Sequence, residues 1–216
     1  MKRTTILTLC LVLAGLAVPA GAVFGDVQTT DVLAFADLED RGETQLWRTD
    51  DGIRTRVRAD LPQGVYTMWW VVWNTPEGCA DPFACNEPDL FDPEGDTGLA
   101  IGYGGGAVVG PDGTFSLQSR LAEGATLTRF PYPEFSAVGV SLTETTLVDS
   151  DHAEIHLVFR SHGDIVPGML RTQRATFNGA CTYQPPLDSA SPIYGDPGPN
   201  TCEDQFFAVF PSIDTP

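Results

Sequence analysis

Residues 53–59 alternate strictly, with Ile53, Thr55 and Val57 on one side and Arg54, Arg56 and Arg58 on the other. A period of two belongs to a β-strand that buries one face. Residues 65–73 are apolar on both sides. Tyr66, Met68, Trp70 and Val72 share one, and Val65, Thr67, Trp69, Val71 and Trp73 share the other. That pattern predicts a central strand covered on both faces. Further short strands are predicted at 30–35, 44–48, 99–103, 107–109, 114–121, 137–148, 153–160 and 205–210. Turn signals separate them: Leu61-Pro62-Gln63-Gly64, Pro111-Asp112-Gly113, and the glycine-rich run Gly102-Tyr103-Gly104-Gly105-Gly106, read as a turn. Residues 74–98 and 181–202 read as loops, and no helical periodicity of useful length is present after the first residues. The expected fold is all-β: a single domain over residues 23–216, either a jelly-roll-like β-sandwich or a small barrel.

Residues 1–22 have a different pattern. Lys2 and Arg3 precede an apolar run at 6–18, and Ala20-Gly21-Ala22 supplies small residues at a cleavage position. This is the pattern of a secretory signal peptide. The run falls short of the ~20 residues that span a bilayer. The expectation is a secreted, extracellular protein with no membrane span in its mature chain. Cys10 leaves with the leader, so Cys79, Cys85, Cys181 and Cys202 remain. An even number of cysteines in an exported chain predicts two disulfides. Of the three pairings, Cys79–Cys85 and Cys181–Cys202 are favoured, because each closes a loop rich in Pro, Asp, Asn or Gly. A zinc site is the alternative, although neither pair has the close spacing of a zinc knuckle.

Charge changes the list of partners. The 216 residues carry 29 acids against 12 basic residues, a net charge of −17. Removing Lys2 and Arg3 with the leader takes this to −19 and leaves no lysine. Such a chain is repelled by nucleic acid and by anionic membranes. A hydrophobic share of 42% and an aromatic share of 10% exclude a disordered acidic tail. The acids are spread along the chain, and the composition resembles that of proteins from extreme halophiles, where salt screens the repulsion. A genome that favours arginine codons accounts for the missing lysine but not for the charge. Acid is therefore the background here, and acidic motifs carry less weight as metal sites.

Against that background the histidines stand out. All three lie at 152–162. On a strand, His152, Glu154 and His156 share one face, and His162 follows at a turn where it can return as a further nitrogen ligand. Imidazole and carboxylate on one pleat suit a transition metal; the alternative is a face that meets solvent. Arg54, Arg56 and Arg58 form the main basic stripe. Guanidinium forks there suit an anionic ligand such as a sulfated or carboxylated glycan, or pair with carboxylates on neighbouring strands. The alternating carboxylates Asp92, Glu94 and Asp96 suggest calcium, although the loop lacks the EF-hand pattern. Tyr66, Trp69, Trp70 and Trp73 read as core, with carbohydrate stacking as the alternative.

Gly64-Val65-Tyr66-Thr67-Met68-Trp69-Trp70-Val71-Val72-Trp73-Asn74, Pro76-Glu77-Gly78-Cys79, Glu154-Ile155-His156-Leu157-Val158-Phe159-Arg160-Ser161-His162-Gly163 and Gly198-Pro199-Asn200-Thr201-Cys202-Glu203-Asp204 carry a resemblance. The chain resembles a family of uncharacterised exported β-rich bacterial and archaeal proteins. The resemblance implies a secreted β-rich fold and no particular activity. The functional expectation is an extracellular ligand- or partner-binding module. A metal-binding protein or metal-dependent enzyme on the histidine strand, or a structural cell-surface component, are the alternatives.

Overall fold

A computed structural model of the protein describes residues 27–91, 96–127, 146–182 and 195–214. The leader, Asp92 and Glu94 of the acidic loop, and most of the strand expected at 137–148 lie outside the described residues. Eight strands form one antiparallel sheet: β1 (Val27–Ala34), β2 (Asp40–Thr49), β3 (Gly52–Asp60), β4 (Gly64–Trp73), β5 (Leu99–Val109), β6 (Thr114–Ala122), β7 (Glu154–Ser161) and β8 (Glu203–Phe210). Their order across the sheet is β5-β4-β7-β8-β1-β2-β3-β6. The two end strands, β5 and β6, are joined by the Pro111-Asp112-Gly113 turn, and the Ser119 hydroxyl donates to the Gly104 carbonyl. The sheet thus curls into a nearly closed barrel. A barrel hides the sheet edges that a flat sheet would expose. The all-β expectation holds, and of its two architectures the barrel is the one adopted.

The inward faces meet in one core. Val32, Leu46, Ile53, Val57, Phe115, Leu157 and Phe159 all belong to it. Strand β4 contributes Tyr66, Met68, Trp70 and Val72 to this interior. Its opposite face is covered from outside: Val71 and Trp73 pack against Cys79, Cys85 and Leu99, and Trp69 packs against Phe177. This explains why every residue of β4 is buried. Tyr66, Trp69, Trp70 and Trp73 are each at most 2% exposed, so they offer no stacking surface for a sugar.

Both disulfides have the expected pairing, Cys79–Cys85 and Cys181–Cys202. Their sulfurs are bonded to each other and are not available as thiolate ligands, which removes the zinc alternative. The first bridge closes one external cover of β4 on itself, and the second ties the other cover to the residue before β8. One cover holds the 3-10 turns Pro76–Gly78 and Glu87–Phe91; the other includes the short helix α1 (Leu170–Gln173).

The glycine run is not a turn. It lies inside β5, which passes straight through it. Met68 pairs with Gly105 and Trp69 with Tyr103, so Gly104 is the extra residue of a β-bulge. Gly106 is required by its neighbour, since a Cβ there would sit 2.1 Å from the Arg174 carbonyl oxygen. The Arg174 guanidinium in turn donates to the Gly106 carbonyl at 2.9 Å. No helix among the described residues is long and apolar enough to cross a membrane.

Candidate functional site

The barrel separates the residues grouped on the histidine strand. Ile155, Leu157 and Phe159 of β7 point into the core, so Glu154 and His156 lie on the outer wall. His156 Nε2 is 2.6 Å from Glu154 Oε1. A carboxylate only accepts, so the imidazole donates its Nε2–H. His152 precedes the strand and reaches elsewhere, its Nε2 lying 3.0 Å from Glu77 Oε2 of the first disulfide loop. Glu77 is held below the usual carboxylate range, first by its own backbone N–H and then by His152.

His162 lies at the far end of β7, about 20 Å along the strand from His156. It is fully buried and fully occupied. Its Nδ1 is 3.0 Å from the Gly179 carbonyl and its Nε2 2.9 Å from Thr67 Oγ1. The carbonyl can only accept, so Nδ1 carries the proton and Nε2 accepts from Thr67. The Trp69 indole N–H donates to the same hydroxyl at 2.9 Å. Burial lowers the His162 pKa to about 4, against a raising effect from the Gly179 bond and with help from the Arg160 charge. His162 is therefore a neutral structural group that pins the second cover to the barrel. The four residues expected as one metal set do not converge. Strand parity put His152, Glu154 and His156 on one face and the following turn was expected to return His162 to them, but Gly179 takes its Nδ1 and Thr67 of β4 takes its Nε2.

One close group of potential ligands exists among the described residues: His162, Cys181 and Cys202. The sulfurs of that group form the second disulfide. Of the acidic loop, Asp96 is described, and its carbonyl accepts from the Thr75 hydroxyl.

Two concavities mark the outer wall. The first, of about 460 Å³, lies where the Cys79–Cys85 loop overhangs β4, β7 and β8. Val71, His156 and Val209 form one cross-strand row of its floor. Trp73 closes one side, its ring edge-on to His156 at 5.9 Å. Asn86, Glu87 and Leu90 overhang it. Glu154 lies directly opposite Trp73 in register and is wholly buried. Its Oε2 and the Trp73 indole nitrogen are buried atoms without a hydrogen-bond partner among the described residues.

The second concavity, of about 610 Å³, is an open groove on β2, β3 and β6. Antiparallel register builds it in rows. Trp47, Arg54 and Arg120 form one row, and Gln45, Arg56 and Gln118 form the next. Arg58 continues the stripe in a third row, between Glu43 and Ser116. Arg120 pairs with the exposed Asp51 at 2.5 Å. Asp51 is pulled below the ordinary carboxylate range, first by the Thr49 hydroxyl and further by the Arg120 and Arg54 charges. Arg54, Arg56 and Arg58 form no ion pair among the described residues. The cross-strand carboxylate pairing open from the sequence is thus not made. Trp47 and Arg120 were missed as site residues; the register of β2 and β6 against β3 is what brings them to the stripe.

The class these features define is an eight-stranded antiparallel, nearly closed barrel with disulfide-bearing external covers and two outer-wall concavities of different chemistry. No protein-family model matches the chain, and no curated protein matches it. Its sites are therefore read from their own residues.

Proposed function

We propose that the protein is an exported, non-catalytic binding module whose main site is the arginine groove, and that its ligand is an acidic glycan bearing sulfate or carboxylate groups. The single observation behind this reading is a charge anomaly. In a chain of 29 acids and 12 basic residues, four guanidiniums (Arg54, Arg56, Arg58 and Arg120) share one outer face, and three of them have no ion pair among the described residues. Like charges held side by side repel, and an anion relieves that cost. Guanidinium forks match planar carboxylates and sulfates with paired hydrogen bonds. The half-buried Trp47 ring supplies an apolar plane for a sugar, and Gln118 and Ser119 supply amide and hydroxyl partners. The leader pattern and the two disulfides support an extracellular setting. The family resemblance agrees with it.

The test is calorimetric titration with sulfated and uronate oligosaccharides. Arg54→Ala/Arg56→Ala replaces outward-facing side chains of β3, so the fold is expected to persist. Its affinity should fall by roughly tenfold or more, about 1.4 kcal/mol, and binding by the native protein should weaken as salt rises. Equal affinity in the double variant, or binding of neutral oligosaccharides as tight as acidic ones, would falsify the reading.

A further inference from the structure

The first concavity has the opposite chemistry, and no part of the arginine groove enters it. Its floor is apolar: Val71 and Val209 flank His156 across the strands, and Val158 and Phe207 extend the surface along them. Phe35 stacks on Phe207 with ring centroids 4.6 Å apart, forming an aromatic wall. The one polar group in the centre of this floor is the His156 imidazole. Its Nε2 is engaged by Glu154, so Nδ1 is the ring atom left for a ligand. Glu154 itself is sealed behind it, with one carboxylate oxygen that no described group neutralises. At the rim stand Glu87 and Asp204, both exposed, the latter paired with Arg160 at 2.9 Å. No arginine lines the concavity.

We propose that this concavity is a second binding site, for a small organic ammonium ion with an aromatic or branched aliphatic body. The volume suits such a molecule, since small-ligand sites run from roughly 300 to 1,000 Å³. The body lies on the valines between the Trp73 and Phe207 rings. The ammonium N–H donates to Nδ1 of His156, whose Nε2–H donates to the Glu154 carboxylate. The ligand's positive charge is thereby matched, through the imidazole, by the buried negative charge behind it. Aromatic faces attract cations as well. Glu87 at the rim adds field of the same sign. A carboxylate-bearing ligand with the same body meets repulsion from Glu87 and Glu154, and the Arg160 guanidinium beside the rim is already bonded to Asp204, Asn178 and the Phe177 carbonyl.

The experiment is isothermal titration with three probes that share a phenylethyl body: 2-phenylethylamine, 2-phenylethanol and 3-phenylpropionate. The amine should bind saturably, the alcohol at least roughly tenfold more weakly, and the carboxylate undetectably. Glu87→Lys changes an exposed rim residue and keeps the fold; it should weaken the amine severalfold and leave the alcohol unchanged. His156→Leu removes the acceptor and should abolish the preference of amine over alcohol. If that variant fails to fold, Leu90→Trp, which fills the overhang, serves instead and should abolish binding of both probes. The proposal is overturned if the three probes bind alike, if the carboxylate binds as well as the amine, or if Glu87→Lys or the pocket-filling variant leaves amine binding unchanged. The arginine variants test the other groove, so either site can fail without the other.

Discussion

His162 shows how neighbours decide what a side chain is. Its folded pKa of about 4 lies below the free value of 6.5 because burial penalises the charged ring. Below pH 6.5 the unfolded chain takes up a proton that the folded chain refuses. Stability linked to this group is therefore intact above about pH 6.5 and is lost as pH falls toward 4. At 1.36 kcal/mol per unit, the drop from about pH 6.5 to about pH 5 amounts to roughly 2 kcal/mol. Urea unfolding of the native protein and of His162→Gln should show that extra acid loss in the native protein alone; parallel acid slopes would contradict it. The sequence grouped His162 with the other histidines because it follows their strand at a turn, which is local information. Whether a later segment folds back over the ring is not. Arg48 repeats the lesson inside the barrel. It shares the inward side of β2 with Thr44 and Leu46, and its guanidinium donates to the carbonyls of Ser150, Ala153 and Pro211 and to the Gln28 side chain. Burial draws its pKa down to about 10, against the charges of Asp151 and Asp149. Its parity with Leu46 was the only signal available, and an arginine at the end of a strand ordinarily snorkels to solvent.

Among the elements, β4 and β5 contrast in how openly their sequences speak. The two apolar faces of β4 required two covers, and the structure supplies both. The glycines of β5 read as a turn because glycine most often marks one. Their use here is close approach: the segment after α1 lies against the strand, and Tyr103 and Gly106 both bond to Arg174. Gly106→Val forces its Cβ into a backbone carbonyl, so the strand or the cover must shift. We expect a loss of about 2 kcal/mol or more in thermal unfolding. Gly110→Ala meets only the end of the Asp112 side chain at 3.3 Å and should stay within about 0.5 kcal/mol of the native protein. Similar losses in both variants would mean that the contact with Arg174 does not matter. The disulfide loops were legible as loops from their composition. That one of them overhangs a floor containing His156 was not, because the overhang joins positions some seventy residues apart.

For the molecule as a whole, the charge of −17 is the dominant long-range term. We read its even spread as an adaptation to salt. Screening of the mutual repulsion should then raise the melting temperature on going from dilute buffer to molar salt, by roughly 5 °C or more, about 2 kcal/mol for a chain of this size. Calorimetry at the two salt levels checks it, and an unchanged or falling melting temperature would end the halophilic reading. Full stability in dilute buffer would weigh against it in the same way. By itself the sequence determined the all-β class, the sorting of β3, β4 and β7 side chains onto two faces, and which of the three cysteine pairings to favour. All of these follow from a two-residue period or from short loops, which are local properties of the chain. Only the tertiary structure decided that the sheet closes as a barrel, that His162 is sealed while His156 keeps a nitrogen for a ligand, and that Trp47 and Arg120 join the arginine stripe. Each of those outcomes depends on strand order and on covers tied down from distant positions, and a periodic pattern carries no information about which distant segment lands on which face.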